Sequence, residues 1–384
     1  MFKPKLMHNL LAPLIAANTV SADLQANDMS NHNGLEILAN QLERLQFDCH
    51  ILPVDEGRGK WNLIAHRAGT ASNRHGLLFS GHIDTVAADE SLWSHNPFTL
   101  RSHSDLFFGL GVTDMKGFFA VLVSILQNLE MQNKLPITIV ATADEETTMA
   151  GARALAAEMF SQPALAILGE PTRMRPVLSH KGYLAYQLRL HSTGGHSSFP
   201  DANKNCINAV TSVNQALINK ASQWKSQIRH PEFSVPFPTI NLGALHAGDS
   251  VNKICSHLTL NFDVRPTPGL SSEQIFTELN QAIKQSLKGY KVHYELNDLY
   301  LPVTSFASSA TDDRKDVIQQ HCSCHFAHEN YVTEAGFFER LGIPTIVLGP
   351  GSIEQAHQVN EFVSWEQLTL AHNIYAKLIH QWCY

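Results

Sequence analysis

Cysteine is scarce: six in 384 residues, at positions 49, 206, 255, 322, 324 and 383. Disulfide frameworks belong to short secreted domains, so this spacing argues against one and for a reducing compartment. Positive charge is short as well. Lys and Arg number 28 against 35 Asp and Glu, a net charge of −7, and no basic run breaks that balance. Neither nucleic acid nor an anionic membrane is an expected partner. No apolar run approaches the roughly 20 residues that a membrane span needs. Internal repeats and low-complexity tracts are missing, which argues against a solenoid. What is there is ordinary globular composition, 44% hydrophobic and 16% charged, in a length that suits about two or three domains. One residue type is in excess. The chain carries 21 His, more than packing requires.

The start of the chain imitates a signal peptide. Lys3 and Lys5 precede the apolar residues 10–17, and Val20-Ser21-Ala22 is similar to a small-residue cleavage site. The apolar run is short, contains Pro13 and follows His8-Asn9. It reads as the first helix of the mature fold, in a cytoplasmic protein.

Residues 1–180 alternate helical and strand patterns. Leu35, Leu38, Leu42 and Leu45 recur at helical spacing. Short apolar runs at 76–80, 137–141 and 164–168 read as buried strands, and 118–129 and 151–160 as helices. Strands alternating with helices predict an α/β domain with both sheet faces covered. From Lys181 the pattern changes to strand 183–192, helix 205–221, strands 239–245 and 253–264, helix 272–287 and strand 290–296. That β-α-β-β-α-β order is ferredoxin-like. An inserted domain over 181–297 is expected, with 298–384 completing the first. In that last part 316–321 reads as helix and 345–348 as strand, and the closing helix falls within 362–382.

Acids and histidines gather just beyond the predicted strands. His82 and Asp84 follow the first, Glu145-Glu146 the second and Glu170 the third; His357 follows strand 345–348. Asp114 stands at the mouth of helix 118–129. Ligand sites of open α/β sheets form at these carboxyl ends. Clustered carboxylates repel, and a divalent metal removes the conflict. Imidazole and carboxylate without thiolate suit zinc, with cobalt or manganese as alternatives. One carboxylate can bridge two ions, and an adjacent carboxylate that is not a ligand can act as general base. The pair Glu145-Glu146 fits such a division.

Five segments carry a resemblance over essentially the whole chain: SGHIDTV at 80–86, GVTDMKGFFA at 111–120, TADEETTMAGA at 142–152, GEPT at 169–172 and GPGSIEQAHQ at 349–358. Together they resemble the M20 family of dinuclear zinc peptidases and deacylases. The resemblance implies a mixed-sheet zinc-hydrolase catalytic domain with an inserted lid and dimerisation domain. It implies two zinc ions per subunit, with His82, Asp114 and Glu170 on one and Asp114, Glu146 and His357 on the other. Glu145 would activate a metal-bridged water and pass its proton to the leaving amine, and Asp84 would orient His82. His196 would reach the partner subunit's site in a homodimer and stabilise the oxyanion. Asn252 and Arg265 match substrate-binding lid positions, and Glu334 in the TEA segment 333–335 would meet a distal ammonium. DEETTMAGA and GPGSIEQAHQ are similar to the branch acting on N2-acetyl-L-ornithine, rather than the one acting on succinyl-diaminopimelate. Another N-acyl-amino-acid hydrolase or a dipeptidase is the alternative.

Two departures stand out. Val359-Asn360 occupies the place of Pro-Asp, and Ala87 that of Pro. The run His321-Cys322-Ser323-Cys324-His325 with His328 lacks the Cys-x2-Cys spacing of a metal site and reads as incidental.

Overall fold

A computed structural model describes residues 3–71, 75–129 and 133–384. The chain divides into two compact units. The first comprises Met1–Leu178, Ser308–Ala327 and Thr333–Tyr384, and the second Ser179–Ala307 and His328–Val332.

In the first unit, four short apolar segments run parallel. Ile137–Thr142 pairs with Leu77–His82, which pairs with Leu165–Leu168, which pairs with Thr345–Val347. Every residue of these strands is buried. A sheet covered on both faces demands continuous apolar runs rather than alternation, and that is how they read. Helix Gly117–Leu126 is buried along all ten residues. Helix Trp365–Cys383 begins where the Ser364 hydroxyl accepts the Gln367 N–H at 3.2 Å. Its Tyr375 ring meets Phe79 and Phe118 edge-on at 5.7 and 5.8 Å. Helix Pro4–Ala16 packs Met7, Leu10, Leu11, Leu14 and Ile15 into the same core, so most of the apolar run near the chain start is core helix.

Antiparallel additions make the sheet mixed. A hairpin of Asp48–Asp55 and Lys60–Arg67 joins beside Ile137–Thr142, and Val347 pairs with Val177 at the other side. The hairpin is not evident from sequence. Its outer strand lacks clean alternation, and Pro53 is tolerated there because an edge strand needs fewer partners. The helix expected over 151–160 is cut short. Helix Ala150–Arg153 gives way to a single 3-10 turn, Ala157–Met159. Arg153 stacks on Phe337 at 5.0 Å and Phe160 packs on Phe338 at 6.4 Å. Tertiary contacts here outweigh a favourable local propensity. Helix Asp312–Cys322 is longer than its sequence suggests.

In the second unit, Thr239–Ala247, His257–Arg265, Leu184–His191 and His293–Asp298 form one antiparallel sheet in that spatial order. With helices Cys206–Gln227 and Ser272–Ser286 this is the ferredoxin-like order. Asn205 and Ser271 cap the two helices through their side chains. The strand expected over 253–264 is interrupted, with Lys253–Ile254 pairing instead with Gly195–His196. Among the described residues no helix is long and apolar enough to cross a membrane.

Candidate metal centre

The parallel strands of the first unit bring their carboxyl ends to one edge. His82 is the last residue of its strand, Glu145 and Glu146 follow strand Ile137–Thr142, and Glu170 follows Leu165–Leu168. The turn at Gly349 then runs against the turn at Gly169. A Cβ on Gly349 would lie 2.0 Å from the Gly169 carbonyl oxygen, so only glycine permits the approach that leads on to His357. Asp114 comes from the irregular turn Val112–Lys116 ahead of the buried helix, and the Asp114–Met115 peptide bond is cis.

Asp114 is central. Its Oδ1 lies 2.9 Å from His82 Nε2, which is 3.9 Å from Glu170 Oε1. Its Oδ2 lies 3.5 Å from His357 Nε2, which is 2.9 Å from Glu146 Oε2. Two ligand-like sets therefore share one carboxylate: His82, Asp114 and Glu170, and Asp114, Glu146 and His357. Within each set the candidate ligand atoms lie within 4.8 Å of one another. All five residues belong to the first unit.

The tautomer of His82 is set locally. Nδ1 is 3.0 Å from the Asp84 backbone carbonyl, which can only accept. Nδ1 therefore carries a proton, and Nε2 is the atom that faces Asp114 and Glu170. Asp84 thus serves the imidazole chiefly through its main chain, its carboxylate being 3.7 Å away. That carboxylate accepts the N–H groups of Glu145 and Glu146 at 3.3 and 3.2 Å.

The electrostatics show an excess of negative charge. Burial pushes Glu145 and Glu170 well above the usual carboxylate range, and neighbouring carboxylates add to the shift. Glu146 is raised by burial and by Asp114, and its Oε1 has no hydrogen-bond partner among the described residues. The hydrogen bonds from His357 and His82 hold Asp114 low despite its burial. His357 in turn is pushed up to about 10 by Asp114 and Glu146.

Glu361 is not singled out by the sequence. Fully buried, it accepts the backbone N–H groups of Gly111, Thr113 and Asp114 at 2.7, 2.6 and 3.0 Å and so holds the Asp114 turn. Partners made of backbone leave no side-chain motif to find. Asn360, one of the departures, has a left-handed backbone, and its Oδ1 accepts the Ser94 N–H and hydroxyl at 2.9 and 2.7 Å.

Glu334 is fully buried in the first unit. It accepts the Thr142 hydroxyl at 2.7 Å, its Oε1 has no partner among the described residues, and burial pushes it up to about 7. The other three predicted residues lie in the second unit. His196 is exposed on its two-residue strand, with Nδ1 accepting the Ser198 N–H. Asn252 accepts from the Ser250 hydroxyl at 2.6 Å. The Arg265 guanidinium lies 4.2 Å from the centre of the Tyr183 ring, with Nε 3.4 Å from Asp263. All six cysteines are free thiols, and the His321–His328 run forms no metal-like cluster among the described residues.

Residues 78–381 match the model of peptidase family M20/M25/M40. An acetylornithine deacetylase of Photorhabdus laumondii is 39% identical over 97% of this chain and 96% of the relative. One from Proteus mirabilis is 38% identical over the same shares. Among solved structures, the aminopeptidase PepT of Bacillus cereus superposes with a TM-score of 0.78 at 17% identity. That match covers 99% of this chain and 98% of the other. The dipeptidase Dug1p of Saccharomyces cerevisiae gives 0.74 at 14% identity, over 98% and 96%. These two show the fold alone. On the family match and the near full-length relatives, the chain belongs to peptidase family M20/M25/M40.

Proposed function

We propose that this protein hydrolyses N2-acetyl-L-ornithine to L-ornithine and acetate, a step of arginine biosynthesis, in the cytoplasm. The substrate is supported by the full-length relatives named acetylornithine deacetylase. The chemistry is supported by one observation above all: two imidazoles and three buried carboxylates converge with Asp114 shared between two sets.

The residues fit a metal pair. Crowded buried carboxylates and the unpartnered Oε1 of Glu146 call for a cation, and the imidazole–carboxylate donor set suits zinc, with cobalt or manganese as substitutes. His82, Asp114 and Glu170 would hold one ion and Asp114, Glu146 and His357 the other. When bound, the pair supplies Lewis acidity, activating water and polarising the amide carbonyl.

The chain's own residues do the rest. Glu145 needs no place among the ligands, and its buried surroundings raise its affinity for a proton. It takes the proton from the attacking water as the new C–O bond forms. It returns a proton to the departing α-nitrogen as the C–N bond breaks. Asp84 fixes the His82 tautomer and holds the Glu145–Glu146 backbone. Glu334 offers an unpartnered acceptor for the distal ammonium. In a homodimer, the partner's His196 would donate to the oxyanion. Asn252 and Arg265 would take the amino-acid end, a guanidinium being suited to a carboxylate.

The test compares acetate release from N2-acetyl-L-ornithine with turnover of succinyl-diaminopimelate and simple dipeptides. Preference for acetylornithine supports the assignment. Preference for either rival would keep the hydrolase class and overturn the substrate.

A further inference from the structure

The edge hairpin ends in a cationic clamp on the turn that carries Glu145 and Glu146. Arg58 closes the 3-10 turn Glu56–Arg58 between the two hairpin strands, and Gly59 follows in a left-handed conformation. Its Nη1 and Nη2 donate to Asp144 Oδ2 and Oδ1, both at 3.0 Å, a bidentate grip. Its Nε donates to Asp28 Oδ2 at 2.9 Å. Lys60, fully buried, backs the pair: Nζ lies 2.8 Å from Asp28 Oδ1 and 3.8 Å from Asp144 Oδ1. Two cations and two carboxylates thus form one closed network. Asp144 is fully buried and also accepts the Thr148 hydroxyl.

The place of Asp144 makes this more than an anchor for an edge strand. It immediately precedes Glu145 and has a left-handed backbone, φ 59°, uncommon for a residue with a side chain. Its carbonyl accepts the N–H groups of Thr148 and Met149, closing the loop back on itself. The turn is therefore held at two points. The Asp84 carboxylate takes the N–H groups of Glu145 and Glu146, and Arg58 takes the side chain one residue earlier.

We propose that Arg58 is a positioning residue of this centre, setting through Asp144 the turn that aims Glu145 at the reacting water and Glu146 at the second metal. The hydrolytic half of this inference rests on the function proposed above, whereas the metal half does not. Lysine keeps the charge at 58 but cannot reproduce two parallel N–H donors. Removing such outer support usually costs about 10–100-fold in metal affinity or activity.

The experiment titrates zinc into metal-free full-length protein by calorimetry, for wild type, Arg58→Lys and Asp144→Asn. The control is Arg67→Lys, a buried arginine that packs on Phe47 away from the ligands. In the two Arg58–Asp144 variants the second equivalent should bind about 10–100-fold more weakly, with the first within twofold of wild type. The control should lose thermal stability and leave both equivalents unchanged. On the best substrate, Arg58→Lys should lower kcat by a similar factor with KM little changed. Guanidinium added to Arg58→Gly should recover part of the lost second-site affinity. Unchanged second-site affinity in both Arg58→Lys and Asp144→Asn overturns the inference. So does equal weakening of both equivalents in step with the melting temperature, since that marks a purely structural role. Wild type that binds two metals but ignores acetylornithine refutes the proposed substrate, while the titration still decides the role of Arg58.

Discussion

Glu145 and Glu146 are neighbours of one residue type placed in different surroundings. Glu146 lies 2.9 Å from His357 within a ligand-like set, whereas Glu145 belongs to neither set. Replacing Glu145 with Ala should therefore leave two metals bound and cut kcat by about 10²–10⁴-fold. Metal content and steady-state rates measured on one preparation check this. Near-normal turnover with metal intact would remove Glu145 from proton transfer. The candidate ligands are legible in the sequence because each acid or His sits just past a recognisable strand or at a helix mouth. Glu361 and Arg58 are not. Glu361 works through three backbone amides, and Arg58 through an aspartate 86 residues away. A lone acid or arginine in such a loop otherwise reads as a solvated surface group.

At the scale of elements, the centre depends on how closely the strand-end turns approach. Gly349 meets the carbonyls of both Gly169 and Glu170, at 2.0 and 2.4 Å from where a Cβ would stand. Backbone cannot swing aside as a long side chain can. Gly349→Ala should cost about 1–3 kcal/mol of stability by overpacking and displace Glu170 from its set. The expected result is a lower melting temperature together with weaker metal retention, read by thermal melts and metal analysis. A variant with unchanged melting and full metal content would show that these turns can part freely. The four parallel strands are legible because burial on both faces leaves continuous apolar runs. The hairpin Asp48–Asp55 and Lys60–Arg67 is not, since its half-exposed edge strand, which carries Pro53, gives no clean period. The helical reading of 151–160 fails for the opposite reason. Its local preference is strong, but Phe160 and Arg153 are drawn to side chains far along the chain.

At the scale of the molecule, the β-α-β-β-α-β order of the second unit is legible because alternating strands and capped amphipathic helices keep their periods apart. The first unit is harder to read, because its sheet draws strands from both ends of the chain. That return of the chain is what brings His357 to the residues before position 178 and completes the second ligand-like set. The most direct test of the whole follows acetate release from N2-acetyl-L-ornithine after exhaustive chelation, then after zinc or cobalt is restored. Turnover should vanish with the metal and return with about two equivalents per chain. Undiminished acetate release from protein verified to be metal-free would contradict the proposed chemistry at its centre.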